Sequence, residues 1–199
     1  PEQQARLQVV EGDIRNPADL DRAFAAGVEV SGVIHFAGLK AVGDSVQKPL
    51  IYWDVNLNGS RLLIEEMRRN AFRTLVFSST VTVYGEPEQF PITEAFDTNP
   101  LHPYAQTKLA VEWMLQALEV SEPGWRIRTL RYFKPVGAHP SGRIGEDPQG
   151  IPNNLFPFIT MGLPRFRGQV TRRHAMTLRL SFDDHHDHVP TPVYGAAKG

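Results

Sequence analysis

The chain of 199 residues contains no cysteine, no long apolar run and no excess of either charge. Without cysteine it forms no disulfide framework and no zinc site with thiolate ligands. A membrane span needs about 18 consecutive apolar residues, and a signal peptide needs a basic start before an apolar stretch, and neither pattern occurs. A formal net charge of -1 gives no electrostatic footprint for nucleic acid. We therefore expect a cytoplasmic protein that binds neither nucleic acid nor a membrane.

The sequence also lacks the glycine pattern of a dinucleotide-binding turn. None of its 16 glycines forms G-x-G-x-x-G or G-x-x-G-x-x-G, which would bring a helix N-terminus to a pyrophosphate. The first residue is proline, and a strand signal follows almost at once. We therefore expect the chain to be a fragment.

Short apolar segments alternate with amphipathic segments up to about residue 135. The predicted strands are residues 7–10, 32–38, 75–77 and 127–133, and the predicted helices start at Pro17 and cover about residues 49–69 and 104–120. The helix at 49–69 would bury an apolar stripe of Leu50, Trp53, Leu57, Ile64 and Met67. This alternation predicts an α/β fold with a partial, Rossmann-like, doubly wound parallel sheet that is covered on both faces.

The composition changes to Pro/Gly-rich loop at about residue 135. We interpret residues 1–135 as the Rossmann-like domain and residues 136–199 as a smaller, truncated substrate-binding region. The acidic and His-rich cluster at residues 183–188 has the ligand types of a metal site. Consecutive residues cannot all face one ion, so we favour a solvated polar loop and predict no metal.

Tyr104 and Lys108 lie four residues apart in a predicted helix, and so on one face of it. A nearby ammonium lowers the pKa of a phenol, whose ordinary value is about 10, so the pair could act as a base near neutral pH. The spacing alone is more typical of a surface pair. Thr80 favours the catalytic interpretation, because it ends the preceding strand and neighbouring strand ends meet in one crevice.

Several segments together resemble a known enzyme family. They are GDIRN at 12–16, VIHFAGLKAVGDSV at 33–46, the Ser-rich strand end at 77–80, YAQTK at 104–108 and RYFKPVGAHPSG at 131–142. Over about residues 7–157 the chain is similar to the UDP-glucose 4-epimerases of the extended short-chain dehydrogenase/reductase group, and the similarity ends after about residue 164. The resemblance implies an NAD-dependent isomerase that interconverts UDP-glucose and UDP-galactose through a 4-keto sugar. It also implies a homodimer of the intact form.

The resemblance implies roles for individual residues. Tyr104 would take the proton of the sugar 4-hydroxyl, and Thr80 would align that hydroxyl. Lys108 would hold the nicotinamide ribose and, together with the cationic nicotinamide ring, lower the pKa of Tyr104. The implied NAD-binding residues are Asp13, Ile14, Phe36, Ala37, Gly38, Leu39, Lys40, Tyr104, Lys108 and Phe133. The implied substrate-binding residues are Thr80, Thr82, Lys134 and Asn154.

Departures from the family pattern bear on the activity. Related 4,6-dehydratases carry Asp-Glu directly after the threonine, where this chain has Val81 and Thr82, so epimerisation is favoured. Lys134 stands where the family has Asn, and Val55 where it has an Asn near the cofactor.

The missing glycine motif belongs, in the family, to a strand and helix upstream of residue 1, so the sheet would lack its first two strands. In the strand order 3-2-1-4-5-6, residues 7–10 would be strand three without its neighbour. We expect them to be unpaired or wrongly paired. The alternative to an impaired epimerase is a non-catalytic remnant with weak or no nucleotide binding.

Overall fold

The structure, a computed structural model, describes residues 7–27, 30–134 and 141. These fall into two units, one of residues 7–87 and 97–133 and a second to which residues 88–96, 134 and 141 belong. In chain order the first unit contains α1 (Pro17–Ala26), β1 (Val33–His35), α2 (Val42–Gln47), α3 (Pro49–Tyr52), a π-helical turn (Trp53–Asn58), α4 (Gly59–Arg69), β2 (Thr74–Thr80), a 3-10 turn (Val81–Tyr84), α5 (Pro103–Ser121) and β3 (Arg126–Tyr132). The predicted domain boundary at residue 135 stays a prediction.

The strands form a parallel sheet in the order β1-β2-β3. Val33 pairs with Leu75, and Leu75 pairs with Ile127. Three of the four predicted strands are therefore confirmed as neighbours in one parallel sheet. All three strands point the same way, so the residues that follow β1, β2 and β3 lie at one edge.

The core lies between one face of this sheet and the helices α1, α4 and α5. Its most deeply buried members are Met67 on α4, Leu75 and Phe77 on β2, and Leu115 on α5. Strand alternation places Ile34 on the opposite face, where it is 64% exposed. The described helices thus cover one face, whereas we expected helices on both.

The helix predicted over residues 49–69 forms, but a π-helical turn interrupts it at Trp53–Asn58. Its predicted apolar stripe is partly wrong, because Leu50 is 82% exposed while Ile64 and Met67 are buried. The sequence prediction also omitted α2 entirely. Helix α1 begins as predicted, with the Asn16 side chain accepting a hydrogen bond from the Ala18 N–H at 3.1 Å.

Residues 7–10 form no strand, although their apolar pattern predicts one, and they are exposed. The prediction that they are unpaired is confirmed, since the sheet consists of β1, β2 and β3 within the described residues. Among the helices that the structure describes, none is both long and apolar enough to cross a membrane. Asn154 and the polar cluster at 183–188 lie outside the described residues.

Candidate active site

The candidate active site lies where β2 ends and α5 begins. Thr80 is the last residue of β2, and its hydroxyl oxygen accepts a hydrogen bond from the Thr82 N–H at 3.2 Å. The hydroxyls of Thr80 and Thr82 are 3.0 Å apart. The Thr80 side chain is also close enough to the Tyr104 phenol on α5 to lower its pKa. The structure thus brings Thr80 and Thr82 close to Tyr104, which is 24 positions after Thr80 in the sequence.

Burial raises the pKa of Tyr104, and the nearby Thr80 hydroxyl opposes this rise. The spacing of Tyr104 and Lys108 predicts the opposite direction, a lowered pKa. The prediction is wrong for the chain as it stands because removal of the phenolate from water has the largest effect. In this environment Tyr104 holds its proton at neutral pH.

Lys108 is buried, with 6% of its surface exposed. Its ammonium donates a hydrogen bond to the Ser78 carbonyl oxygen at 2.8 Å and lies 4.8 Å from the centre of the Phe77 ring. Burial lowers the pKa of Lys108 to about 8. A buried lysine with a pKa near neutral is a common feature of functional sites.

The turn after β1 comes close to Lys108. Gly38 has a φ of +156°, and a Cβ on it would lie 3.7 Å from the Lys108 Nζ and 3.0 Å from the Asn56 Oδ1. A side chain at this position would therefore fill the space between the turn and the lysine. The neighbouring Phe36, Ala37 and Lys40 are exposed, so the backbone of the turn is open to a ligand.

Asn56 holds this turn against α5, although our sequence analysis did not identify it. Its amide exchanges two hydrogen bonds with the Leu39 backbone, at 2.8 and 3.0 Å, and donates a third to the Thr107 hydroxyl at 3.1 Å. Thr107 in turn donates to the Tyr104 carbonyl oxygen at 2.8 Å. The only sequence signal was an amide residue in a helix interior, which is unfavourable unless the side chain finds partners.

The loop with Asp13 and Ile14 packs on the same helical segment. Arg15 donates to the Asp13 carboxylate at 2.6 Å and to that of Asp54, in the π-helical turn, at 2.9 Å. A Cβ on Gly59 would lie only 2.6 Å from the Ile14 Cδ1, so Ile14 packs directly over this glycine and would have to shift for a larger residue. The Arg15 guanidinium lowers the pKa of Asp13 to about 2. Asp13 is therefore an ionised acceptor on the surface.

Two further groups at the site escaped the sequence analysis. The buried His35 ends β1, and its Nε2 lies 2.8 Å from the Ser60 hydroxyl. At the ends of β2 and β3, Arg131 donates to the buried Glu112 carboxylate at 2.6 Å and to the Tyr84 hydroxyl at 2.7 Å. A histidine or an ion pair inside an apolar pattern can be noticed in a sequence, but its partners cannot.

The remaining predicted residues are only partly placed. Phe133 follows β3 and is half-buried. Lys134 is exposed and belongs to the second unit, so its role near the substrate stays a prediction.

Comparison with known proteins gives a consistent family. Residues 1–159 match the model of the NAD dependent epimerase/dehydratase family. The chain is 54% identical to the UDP-glucose 4-epimerase of Yersinia pestis over 149 residues, which are 74% of this chain and 44% of that protein. It is 51% identical to the UDP-glucose 4-epimerase of Bacillus subtilis over 153 residues, 77% of this chain and 45% of that protein.

Solved structures agree with these relatives. The UDP-glucose 4-epimerase of Bifidobacterium longum, in complex with NAD+ and UDP, is 46% identical, has a TM-score of 0.72 and is matched over 79% of this chain and 48% of its own. The chain thus spans less than half the length of these relatives. By the family match and the shared Rossmann-like fold, the chain belongs to the NAD dependent epimerase/dehydratase family.

Proposed function

We propose that this chain carries the acid–base residues of a UDP-glucose 4-epimerase, which interconverts UDP-glucose and UDP-galactose with NAD as cofactor. The observation that carries the proposal is the buried Lys108 beside the Gly38 turn, on the same helix as Tyr104, which is near the Thr80 hydroxyl at the end of β2. A phenol, a hydroxyl and an ammonium at one edge of a parallel sheet are suited to removing a proton from an alcohol.

The residues present fit the two ends of NAD. The Lys108 ammonium lies close to the exposed Gly38 turn, where it would hold the nicotinamide ribose. The ionised Asp13 offers acceptors at the adenine end. The bound nicotinamide would accept and return the hydride from the sugar C4. Tyr104 would take and return the proton of the sugar 4-hydroxyl, and Thr80 would align that hydroxyl.

Tyr104 needs a lower pKa than burial gives it in order to act as this base. Two positive charges could lower it, the Lys108 ammonium and the ring of the oxidised cofactor. A complete site should therefore shift the Tyr104 titration downward when NAD binds. The shift should be smaller in Lys108→Met, which removes one of the two charges.

A chimera tests the proposal. Residues 7–134 of this chain replace the matching residues of the Bacillus subtilis relative, so that all remaining parts of that epimerase are present. We expect the chimera to interconvert UDP-galactose and UDP-glucose. A folded chimera that binds NAD but does not turn over would show that these residues do not carry the chemistry.

The second candidate is a non-catalytic remnant, and three observations favour it for the 199-residue chain alone. Residues 7–10 are exposed, and so is Ile34, which lies on the face of the sheet away from the described helices. The sequence also lacks the glycine motif for the pyrophosphate. We expect the chain alone to bind NAD weakly and not to turn over, which calorimetry and the same assay measure.

We further propose a cytoplasmic homodimer for the intact form. Leu50 is 82% exposed, and Trp113 on α5 is 59% exposed. Large apolar side chains on two surface helices are typical of a protein interface. Sedimentation of the chimera should give a dimer, and Trp113→Glu should give a monomer. A monomeric chimera would contradict the proposal.

A further inference from the structure

His102 lies directly before α5 and accepts a hydrogen bond from it. Its backbone is extended, with φ −143° and ψ 157°, and Pro103 begins the helix. The His102 Nδ1 accepts from the Ala105 N–H at 3.2 Å. Ser, Thr, Asp and Asn usually fill this capping position. The choice of histidine therefore calls for a reason beyond capping.

The imidazole also stacks on the ring of Tyr104. The two ring planes differ by 4°, and their centroids are 6.0 Å apart, an offset parallel arrangement. Residues two apart within a helix do not face each other. Contact occurs here because His102 is outside the helix, and its extended backbone turns the ring back over the first turn.

Both contacts act on the residue that we propose as the catalytic base. The hydrogen bond holds the backbone amide of Ala105, the residue after Tyr104, and the imidazole ring of His102 covers one side of the Tyr104 phenol. The Thr80 hydroxyl also acts on the phenol, since it lowers the pKa of Tyr104 against the effect of burial. Burial lowers the pKa of His102, which favours the neutral imidazole that accepting at Nδ1 requires.

We propose that His102 is a positioning residue for Tyr104, with its Nδ1 fixing the backbone of the first turn and its ring fixing the phenol beside Thr80. The catalytic meaning of this placement rests on the proposed function, but the placement itself can be measured without turnover. Three substitutions separate the two actions. His102→Asn keeps a capping acceptor and removes the ring, His102→Phe keeps a ring and removes the acceptor, and His102→Ala removes both.

The test uses the 199-residue chain with carbon-13 in its tyrosine rings. The signal of Tyr104 is assigned by its loss in Tyr104→Phe, and its titration is followed by NMR in each variant. With the ring gone, His102→Asn should move the titration of Tyr104 toward 10 by about half a pH unit or more, because the phenol gains water. The thermal midpoint of His102→Asn should stay close to that of the parent.

His102→Phe should show the reverse pattern. Its thermal midpoint should fall by about 2–4 °C through loss of the cap, with the Tyr104 titration unchanged. His102→Ala should show both effects. An unchanged Tyr104 titration in His102→Asn, or equal changes of both readouts in His102→Asn and His102→Phe, would overturn the proposal. Because no sugar nucleotide is added, these results are independent of whether the chimera is an epimerase.

Discussion

The side-chain amide of Asn56 binds the Leu39 backbone through a reciprocal pair of hydrogen bonds, N–H to Oδ1 at 2.8 Å and Nδ2 to carbonyl oxygen at 3.0 Å. Asn56 is 2% exposed, so water could not take the place of its side-chain amide if the side chain were truncated. The Leu39 backbone groups would then lose their hydrogen-bond partner. We expect Asn56→Ala to lower the free energy of unfolding by about 3 kcal/mol. Urea unfolding measures this change.

Asn58 provides the matched control for that substitution. It is two residues further along the same turn, and its partners, Asp54 and Arg61, are both exposed. Asn58→Ala should change the free energy of unfolding by less than about 0.5 kcal/mol. An equal loss of unfolding free energy in Asn56→Ala and Asn58→Ala would show that the contact with Leu39 does not cause the loss.

Gly85 ends the 3-10 turn that carries Thr82. Its φ is +68°, and a Cβ on it would lie 2.2 Å from the Asn99 carbonyl oxygen. Because that neighbour is backbone, it cannot move aside cheaply, and we expect Gly85→Ala to cost about 3 kcal/mol or more. Gly43→Ala is the control, since a Cβ on this helical glycine meets nothing within 4 Å. It should be neutral or slightly stabilising in the same unfolding experiment.

Much of the fold follows from local patterns in the sequence. The capping pair Asn16-Pro17 predicts the start of α1, and the apolar residues around Leu75 and Ile127 predict paired strands. Residues 7–10 have an equally good strand pattern and form no strand. A strand needs a partner as well as a pattern, and the pattern does not say whether the partner is present.

The site is less predictable because its side chains act across elements. Thr80, Tyr104 and Lys108 could be identified because strand ends and helical spacing are local features. The direction of the Tyr104 pKa shift could not, since it depends on how much of the phenol the fold covers. The partners of Asn56 and His35 lie 17 to 51 residues away in sequence, and no local pattern specifies them.

His35 should make the protein sensitive to acid. Burial, and secondarily the charge of Lys108, lowers the pKa of His35 from 6.5 to about 4. The unfolded state therefore takes up a proton at a higher pH than the folded state. The contribution of the neutral His35 to the free energy of unfolding is fully present above pH 6.5. It is lost as the pH falls to about 4, which lowers the free energy of unfolding by up to about 3 kcal/mol.

His35→Gln, which keeps a donor for Ser60, should flatten the stability profile between these pH values. The same acid slope in His35→Gln and in the parent would assign the sensitivity to other groups. Thermal unfolding at a series of pH values provides the comparison.

Lys108 should have its effect on the alkaline side. Burial lowers its pKa from 10.5 to about 8, so the folded state releases this proton before the unfolded state does. Stability should therefore rise between about pH 8 and 10.5, and Lys108→Met should remove that rise. Lys48→Met is the control, because Lys48 is exposed and its ion pair with Asp44 is on the surface. If stability still rises with pH in Lys108→Met, the rise does not come from the buried Lys108 ammonium.

The rate of UDP-galactose conversion by the chimera with Tyr104→Phe tests the central claim most directly. Loss of a general base typically costs a factor of about 100 to 10,000, so we expect the rate to fall by about 100-fold or more, with NAD binding retained. Phenylalanine keeps the ring that stacks on His102, so the fold should be preserved. An unchanged rate in the Tyr104→Phe chimera would contradict the assignment of Tyr104 as the base.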